Sequence, residues 1–499
     1  MTKKMIKTVL GLTCLMGTLT CAPKPDKKLN ILFLFADDQR YGTIGALGGA
    51  EVQTPHLDQL VQQGTAFTNT YIMGSQSPAV CAPSRAMLMT GRHVFHIDPQ
   101  GTTIDSAHQT IGQLLLASGY HTFGTGKWHN GKPSFARSFD HGGKIMFGGM
   151  SSHYRIPIHD FQTSGEYGKP YLLEDQHSTE VYADEAIRFL DTYNSDNPFF
   201  MYVAFQAPHD PRQVPAEFWG KYDEDQLSIP PNFLPAHPFN NGEMKVRDEL
   251  VTGFPRQETE IRKNLRAYYA LISHLDHHVG RVISALKKRG LYENTIIIFA
   301  ADNGLAVGQH GLMGKQNLYE HSIKVPMVWS GPGIKSQQIS DASVYLNDIF
   351  PTLCELLGKE KPSSVDAKSF ASILAGKQDV VHDATFHIYK NTQRAVRKGD
   401  WKLIRYMVNG VSTTQLFNLR EDPWEIDNLA EDRRYQDTVA ALNNRLAALM
   451  SAYGDEVDLE KADWGVSQHG GEWADEFRNR PAELKAMMDL TIGYEVWEK

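Results

Sequence analysis

Thr295-Ile296-Ile297-Ile298-Phe299-Ala300-Ala301-Asp302-Asn303-Gly304 is the stretch that decides the fold class. A short run of β-branched and aromatic residues closed by Asp-Asn-Gly reads as a strand buried on both faces that ends in a polar turn. Three other runs share this design. Ile31-Leu32-Phe33-Leu34-Phe35 is followed by Asp37-Asp38, and the weaker Tyr120-His121-Thr122-Phe123-Gly124-Thr125 by Gly126-Lys127-Trp128-His129. Phe199-Phe200-Met201-Tyr202-Val203-Ala204-Phe205 is followed by Ala207-Pro208-His209-Asp210. Between this last run and Thr295, the residues Ile261, Leu265, Ile272, Leu275, Val279, Ile283 and Leu286 recur at helical spacing, with Gly290 as the stop. Such strands alternating with helices predict an α/β fold with a mostly parallel central sheet flanked by helices. Open α/β sheets bind ligands at the carboxyl ends of their strands, so the four polar endings predict one crevice.

The chain has 499 residues, 41% hydrophobic and 10% aromatic, enough for a large core and more than one domain. A net charge of −8 provides no global field for nucleic acid, so an anionic substrate would have to be drawn by a few local cations. Lys3, Lys4 and Lys7 precede an apolar run from Val9 to Leu19, and polar residues from Pro23 to Lys28 follow it. Residues 1–28 therefore read as an export signal, too short in its apolar part for a comfortable membrane span. Leu19-Thr20-Cys21 loosely resembles a lipoprotein cleavage site, which leaves a lipid anchor on Cys21 and simple secretion both open. The expected location is the periplasm, the cell surface or the medium. Four cysteines, two of them in this leader, make no disulfide framework, and Cys354 reads as a small core residue.

Cys81-Ala82-Pro83-Ser84-Arg85 runs on through Ala86-Met87-Leu88-Met89 to Thr90-Gly91-Arg92. Pro83 suits a first helical turn and Gly91 the position past the end. Cys81 then sits at a helix N-terminus, where free N–H groups and the dipole favour an anion, with Arg85 one turn along. A buried cysteine under a helix cap is the plainer alternative. The stretch resembles the signature of the formylglycine-dependent sulfatases of the alkaline phosphatase superfamily. Protein tyrosine phosphatases also pair Cys with Arg, but across five intervening residues where this chain has three. The resemblance implies that Cys81 is oxidised to formylglycine by a formylglycine-generating enzyme, its hydrated gem-diol being the nucleophile. It also implies an alkaline-phosphatase-like catalytic domain.

Asp37, Asp38, Asp302 and Asn303 offer oxygen ligands from two strand ends, a set suited to Ca²⁺ or Mg²⁺ rather than zinc. Either pair alone also reads as ordinary turn chemistry. The resemblance favours calcium, since sulfatases bind it with matching Asp-Asp and Asp-Asn pairs. Lys127 and His129 alternate along an extended segment, so both can face the crevice with Trp128 turned away. Gly126-Lys127-Trp128-His129 resembles the family's second motif. By the same resemblance His209 lies beside the leaving-group oxygen, Lys315 reaches the sulfate from the far side, and Arg85 orients the diol. Cys81, Arg85, Lys127, His129, His209 and Lys315 are thus the expected catalytic set.

Near residues 360–378 the texture changes, giving a catalytic domain over 29–377 and a smaller α+β domain with an antiparallel sheet over 378–499. Ala395–Ile404 predicts a hairpin turning at Lys398-Gly399-Asp400; a short strand at Leu416–Leu419 and a helix from about Asp432 to Met450 follow. Asp422-Pro423-Trp424-Glu425 with Asn428-Leu429 is similar to a C-terminal signature of many sulfatases. Asp276-His277-His278 is set aside as a metal cluster, because consecutive helix residues do not share a face. His93 and His96 either line a substrate pocket or cap the signature helix. His153 and Arg155, in a polar loop, are candidates for sugar contact. The expectation is an exported sulfatase acting on a sulfated carbohydrate. The alternatives are a phosphodiester or phosphonate monoester hydrolase of the same superfamily, and an inert carbohydrate-binding relative.

Overall fold

The protein is described by a computed structural model over residues 28–461, together with the backbone of the strand Tyr494–Trp497. The leader with Cys14 and Cys21, and Trp464 and Trp473, lie outside the described residues. The four apolar runs are the strands Asn30–Ala36, His121–Lys127, Phe199–Ala204 and Thr295–Ala301. They lie side by side at the centre of a ten-stranded sheet, in the order Thr295–Ala301, Asn30–Ala36, Phe199–Ala204, His121–Lys127, all parallel. Phe35 stands opposite Ala300 on one side and Ala204 on the other, and Ala204 opposite Gly126. All four carboxyl ends therefore open on the same edge. Gly126, at φ 90°, is obligatory there, because a Cβ would lie 1.9 Å from the Ala204 carbonyl oxygen.

Burial on both faces explains the apolar runs. Ile296, Ile297, Ile298 and Phe299 are all at most 2% exposed, and each such side chain contributes about 1.5–3 kcal/mol by leaving water. The flanks of the sheet depart from the parallel pattern. His141–Met146 is still parallel, but Arg155–Phe161 and Tyr171–Glu174 add antiparallel strands beyond it. On the other side Lys324–Ser330 and Gly64–Tyr71 are antiparallel additions, and Gln338–Tyr345 closes that edge parallel to Gly64–Tyr71.

The helix expected from Ile261 onward runs over Glu258–Lys288, with Gly290 at φ 66° just past it. It packs on the helices Pro55–Gln63 and Ser178–Thr192. Asp276 does not gather a metal. Its carboxylate accepts the N–H groups of His56 (3.2 Å) and Leu57 (2.7 Å), closing the uncapped first turn of the helix Pro55–Gln63.

The second sheet has five strands in the order Val411–Asn418, Trp401–Val408, Gln393–Lys398, Thr385–Tyr389, Gly74–Ser75. Its hairpin turns at Gly399-Asp400, since Lys398 pairs with Trp401. The last strand, Gly74–Ser75, belongs to the segment that leads into Cys81 and pairs parallel with Ile388-Tyr389. Buried Glu425 ties the two sheets together, pairing with Lys402 (2.8 Å) and accepting the Glu320 N–H (2.7 Å).

Candidate active site

The helix Cys81–Thr90 is buried along its whole length and ends at Gly91, φ 63°, whose N–H returns to the Met87 carbonyl (2.8 Å). Its N-terminus has no side-chain cap and no acidic residue in the first turn. Asn130 holds that end in place by donating to the Ala82 carbonyl (2.9 Å). Cys81 Sγ is met by two ammonium groups, Lys127 Nζ at 3.7 Å and Lys315 Nζ at 3.8 Å. Burial pushes the Cys81 thiol above its usual range, although both lysines pull the other way.

Three carboxylates close the other side. One ligand oxygen each from Asp37, Asp38 and Asp302 lies within 4.8 Å of the others, all buried. Lys127 bonds Asp37, Lys315 bonds Asp38 (2.6 Å), and Arg85 Nε bonds Asp302 (2.9 Å), so each acid has its own cation. Burial opposes the ionisation of Asp37, but Lys127, His209 and Arg85 outweigh it and hold its carboxyl below the usual range. Asp302 goes the other way, raised by burial and by neighbouring Asp37. The Asn303 amide donates to Asp38 (2.7 Å), leaving its own carbonyl oxygen free.

Two buried oxygens, Asp37 Oδ1 and Asn303 Oδ1, have no hydrogen-bond partner. Such orphans are costly unless something meets them. An oxygen-only set with two free oxygens fits a hard divalent cation, Ca²⁺ before Mg²⁺. Arg85 serves this cluster more than Cys81. Besides Asp302, it donates to the Lys127 carbonyl (2.8 Å) and lies 3.7 Å from Asp37, its ring-like plane over Phe35. Its Nη2 makes no hydrogen bond.

Trp128 turns into the core as the alternation requires, donating to Ser134 (2.8 Å). His129 turns at φ 70° and lies against Gly149, where a Cβ would come 2.8 Å from its Nε2. Burial, then Lys127, Arg85, Lys315 and His209, push its imidazole far below the usual range, so it is neutral. His209 is buried with Nε2 3.6 Å from Asp38 and Nδ1 2.8 Å from Asp210. Burial lowers its pKa, but Asp38 and the other nearby acids prevail and raise it above the ordinary imidazole value. The structure thus brings the six expected catalytic residues and four expected ligands into one crevice.

Several residues of this crevice escaped the sequence reading. Asp210 accepts both arms of Arg247 (2.6 and 3.0 Å), and Arg247 also pairs with Asp248 (2.5 Å). Glu249 accepts the N–H groups of Met313 and Gly314, 2.8 Å each, and pairs with buried Arg256 (2.7 Å), so it sets the turn that presents Lys315. Asp210 was visible as the neighbour of His209, but Arg247 and Glu249 lie in a single short 3-10 helix, Arg247–Val251, too brief to show a period. Of the two candidates for sugar contact, one is built into the wall behind His209 and the other lies in solvent. His153 is fully buried, taking the Ser178 hydroxyl at Nδ1 (2.6 Å) and donating from Nε2 to the His209 carbonyl (3.0 Å). Arg155 opens a strand rather than lying in a loop, and pairs with Glu174 in solvent (3.0 Å). His93 and His96 lie beyond the far end of the signature helix, not beside Cys81.

The sequence profile described as Sulfatase matches residues 29–359, and the profile described as N-sulphoglucosamine sulphohydrolase, C-terminal, matches residues 308–452. The N-acetylglucosamine-6-O-sulfatase of Bacteroides thetaiotaomicron is 26% identical, covering 87% of this chain and 88% of that protein. The choline-sulfatase of Rhizobium meliloti is 28% identical, covering 84% and 86%. A structure solved with its substrate D-glucosamine-2-N,6-O-disulfate has a TM-score of 0.73 at 23% identity, covering 87% of this chain and 100% of that one. The phosphonate monoester hydrolase of Agrobacterium radiobacter has a TM-score of 0.69 at 21% identity, covering 85% and 96%. At such identities these two structures share a fold with this chain.

Proposed function

The chain belongs to the sulfatase family, and on that premise we propose that it is an exported enzyme hydrolysing sulfate esters of a carbohydrate, with residue 81 as nucleophile after oxidation to formylglycine. The observation that carries the reading is the pair of ammonium groups converging on Cys81 Sγ at 3.7 and 3.8 Å, at an uncapped helix N-terminus. In this reading Sγ stands in for a hydroxyl oxygen of the hydrated aldehyde. The carbohydrate substrate is supported by the relative named for N-acetylglucosamine 6-O-sulfate.

The roles follow from position. Lys127, Lys315 and the helix N-terminus neutralise the sulfuryl oxygens as charge builds on them. A cation held by Asp37, Asp38, Asp302 and Asn303 would supply a further fixed positive charge there. The attacking hydroxyl of residue 81 reacts as its oxyanion, its proton already released to solvent and its charge met by Lys127 and Lys315; as the new oxygen–sulfur bond forms and the bond to the ester oxygen breaks, His209 delivers its proton to the departing alcohol. Its raised pKa and the Asp210 carboxylate at Nδ1 keep that proton available. His129, neutral, accepts the proton of the remaining hydroxyl, so that the aldehyde reforms and sulfate leaves. Arg85 keeps Asp302 and the Lys127 backbone in place, with Nη2 free for an oxygen of residue 81.

Sulfate and phosphate release from sulfated saccharides and matched phosphoesters or phosphonates tests this, using protein coexpressed with a formylglycine-generating enzyme. Sulfate release that disappears in Cys81→Ala is expected. Equal sulfate release by Cys81→Ala would overturn the mechanism. Phosphate or phosphonate turnover alone would transfer the chain to the phosphonate hydrolase reading, and glycan binding without turnover to the inert one. Export, with or without a lipid on Cys21, is tested by the mass of the mature N-terminus.

A further inference from the structure

The short 3-10 helix Arg247–Val251 bears on two of the expected catalytic residues at once. Through Asp210 it reaches His209. Arg247 Nη1 donates to Asp210 Oδ2 (2.6 Å) and Nη2 to Asp210 Oδ1 (3.0 Å). That Oδ1 lies 2.8 Å from His209 Nδ1, which is also 2.6 Å from the Asp210 carbonyl. Both neighbours of Nδ1 are acceptors, so Nδ1 carries a hydrogen and Nε2 is the nitrogen turned towards Asp38, at 3.6 Å. Through Asp248 the same guanidinium reaches Lys315. Nη2 donates to Asp248 Oδ1 (2.5 Å), Asp248 Oδ2 accepts the Gln316 amide (2.7 Å), and Gln316 Oε1 accepts the Lys315 N–H (2.9 Å).

A guanidinium suits this belt where an ammonium does not. Its planar fork takes both oxygens of Asp210 and so fixes the plane of that carboxylate, whereas lysine offers a single point of charge. Asp210 and Asp248 also face each other across one nitrogen. Their side chains are only 8% and 11% exposed, so water screens their mutual repulsion weakly and the cation between them sets their spacing. Arg247 is the outer member at 32% exposed, so shortening it admits water rather than leaving a dry void.

We propose that Arg247 is a positioning residue, setting His209 and Lys315 relative to each other by acting through Asp210 on the first and through Asp248 and Gln316 on the second. This rests on the roles given to His209 and Lys315 in the sulfatase reading. Glu249, from the same short helix, accepts the Met313 and Gly314 N–H groups, so Lys315 is held from both sides of its turn. A poor leaving group needs the His209 proton as its bond to sulfur breaks, and a good one does not. The effect of Arg247 is therefore graded by the leaving group.

The test compares Arg247→Ala and Arg247→Lys with wild type, each coexpressed with a formylglycine-generating enzyme, with formylglycine content and Tm measured on all three. The substrates are the sulfated saccharide that wild type turns over fastest and 4-nitrophenyl sulfate, whose phenolate departs without a proton. Arg247→Ala should lower kcat on the saccharide roughly 100-fold, the cost of a small misplacement, with KM within about threefold of wild type. On 4-nitrophenyl sulfate the loss should be at least about tenfold smaller. Arg247→Lys keeps a charge between the carboxylates and should fall between alanine and wild type; if the alanine variant does not fold, the lysine variant carries the same comparison. Equal losses on the two substrates, or no loss on either, overturn the proposal. So does a raised KM with unchanged kcat, which makes Arg247 a substrate contact. A wild-type protein silent on both substrates, with formylglycine confirmed by mass, overturns the sulfatase reading itself and this role with it.

Discussion

Replacing Arg85 by lysine keeps the charge and removes the fork, so it isolates what the guanidinium geometry contributes. In the structure Nε and Nη1 reach Asp302 (2.9 Å) and the Lys127 carbonyl (2.8 Å), and the group lies 5.0 Å above the Phe35 ring. A single ammonium on a flexible stem can satisfy one of these acceptors but not both in those directions. One charge-assisted hydrogen bond is therefore lost, worth about 1.5–3 kcal/mol. If that loss falls on the placement of Lys127 and Asp302, it corresponds to roughly a 10- to 150-fold drop in kcat/KM. Arg85→Ala goes further, leaving buried Asp302 without its cation, and should cost about 3–5 kcal/mol of stability. The assay is sulfate release, with Tm and quantified formylglycine measured on each variant. An Arg85→Lys protein fully converted at residue 81, with wild-type kcat/KM and Tm, would refute the reasoning.

The other predictions concern separate parts of the molecule. Removing divalent cations should abolish turnover and lower Tm, and Ca²⁺ should restore both; full activity after exhaustive chelation would exclude the oxygen cluster as a metal site. Gly149→Ala puts a Cβ against His129 Nε2 at 2.8 Å. Release of the first alcohol should survive as a burst while steady turnover falls about 10- to 100-fold, within what a general base contributes; a lost burst would move His129 to the first step. Glu249→Gln should lower stability by about 3–5 kcal/mol, as for breaking a buried pair, and slow turnover through Lys315; unchanged kcat with lowered Tm would limit Glu249 to a structural role. Burial pushes the Asp276 carboxyl up to about 7. Its stabilising effect is thus full below the unfolded value near 4 and lost as pH rises through about 7, at most about 4 kcal/mol. In Asp276→Asn the Tm difference from wild type should change across pH 4–7; a constant difference would count against that burial effect.

The centre of the fold was legible because its signals are local. Runs such as Ile31–Phe35 and Thr295–Ala300 carry β-branched and aromatic residues on both faces, and the polar residues after them could only lie at strand ends. The flanking strands carry no such mark. Gln338–Tyr345 holds polar and apolar residues in a half-exposed mixture, and Arg155–Phe161 alternates buried Ile156 and Ile158 with exposed residues over too short a run, broken by Pro157, to stand out. Partners joined across long gaps stayed hidden for a different reason. Arg247 and Asp210 meet across 37 residues through a short 3-10 helix, and Glu249 serves Lys315 through backbone N–H groups that no side-chain pattern announces. The Asn409-Gly410 turn was a missed local signal, since both residues have positive φ and join Trp401–Val408 to Val411–Asn418 as a two-residue hairpin.

The second sheet borrows its fifth strand from the segment just ahead of Cys81, and its other strands come from residues 385–418. Cys81 itself is 4% exposed once the fold has closed. Any enzyme that alters residue 81 therefore works against a deadline, before a strand made some three hundred residues later locks Gly74-Ser75 into its ladder. At about 5–20 residues per second of synthesis that interval is roughly 15–60 s. The order of the chain, residue 81 early and the sheet that fixes its approach late, gives a macromolecule the size of an enzyme its best access to that position while the chain is still being made.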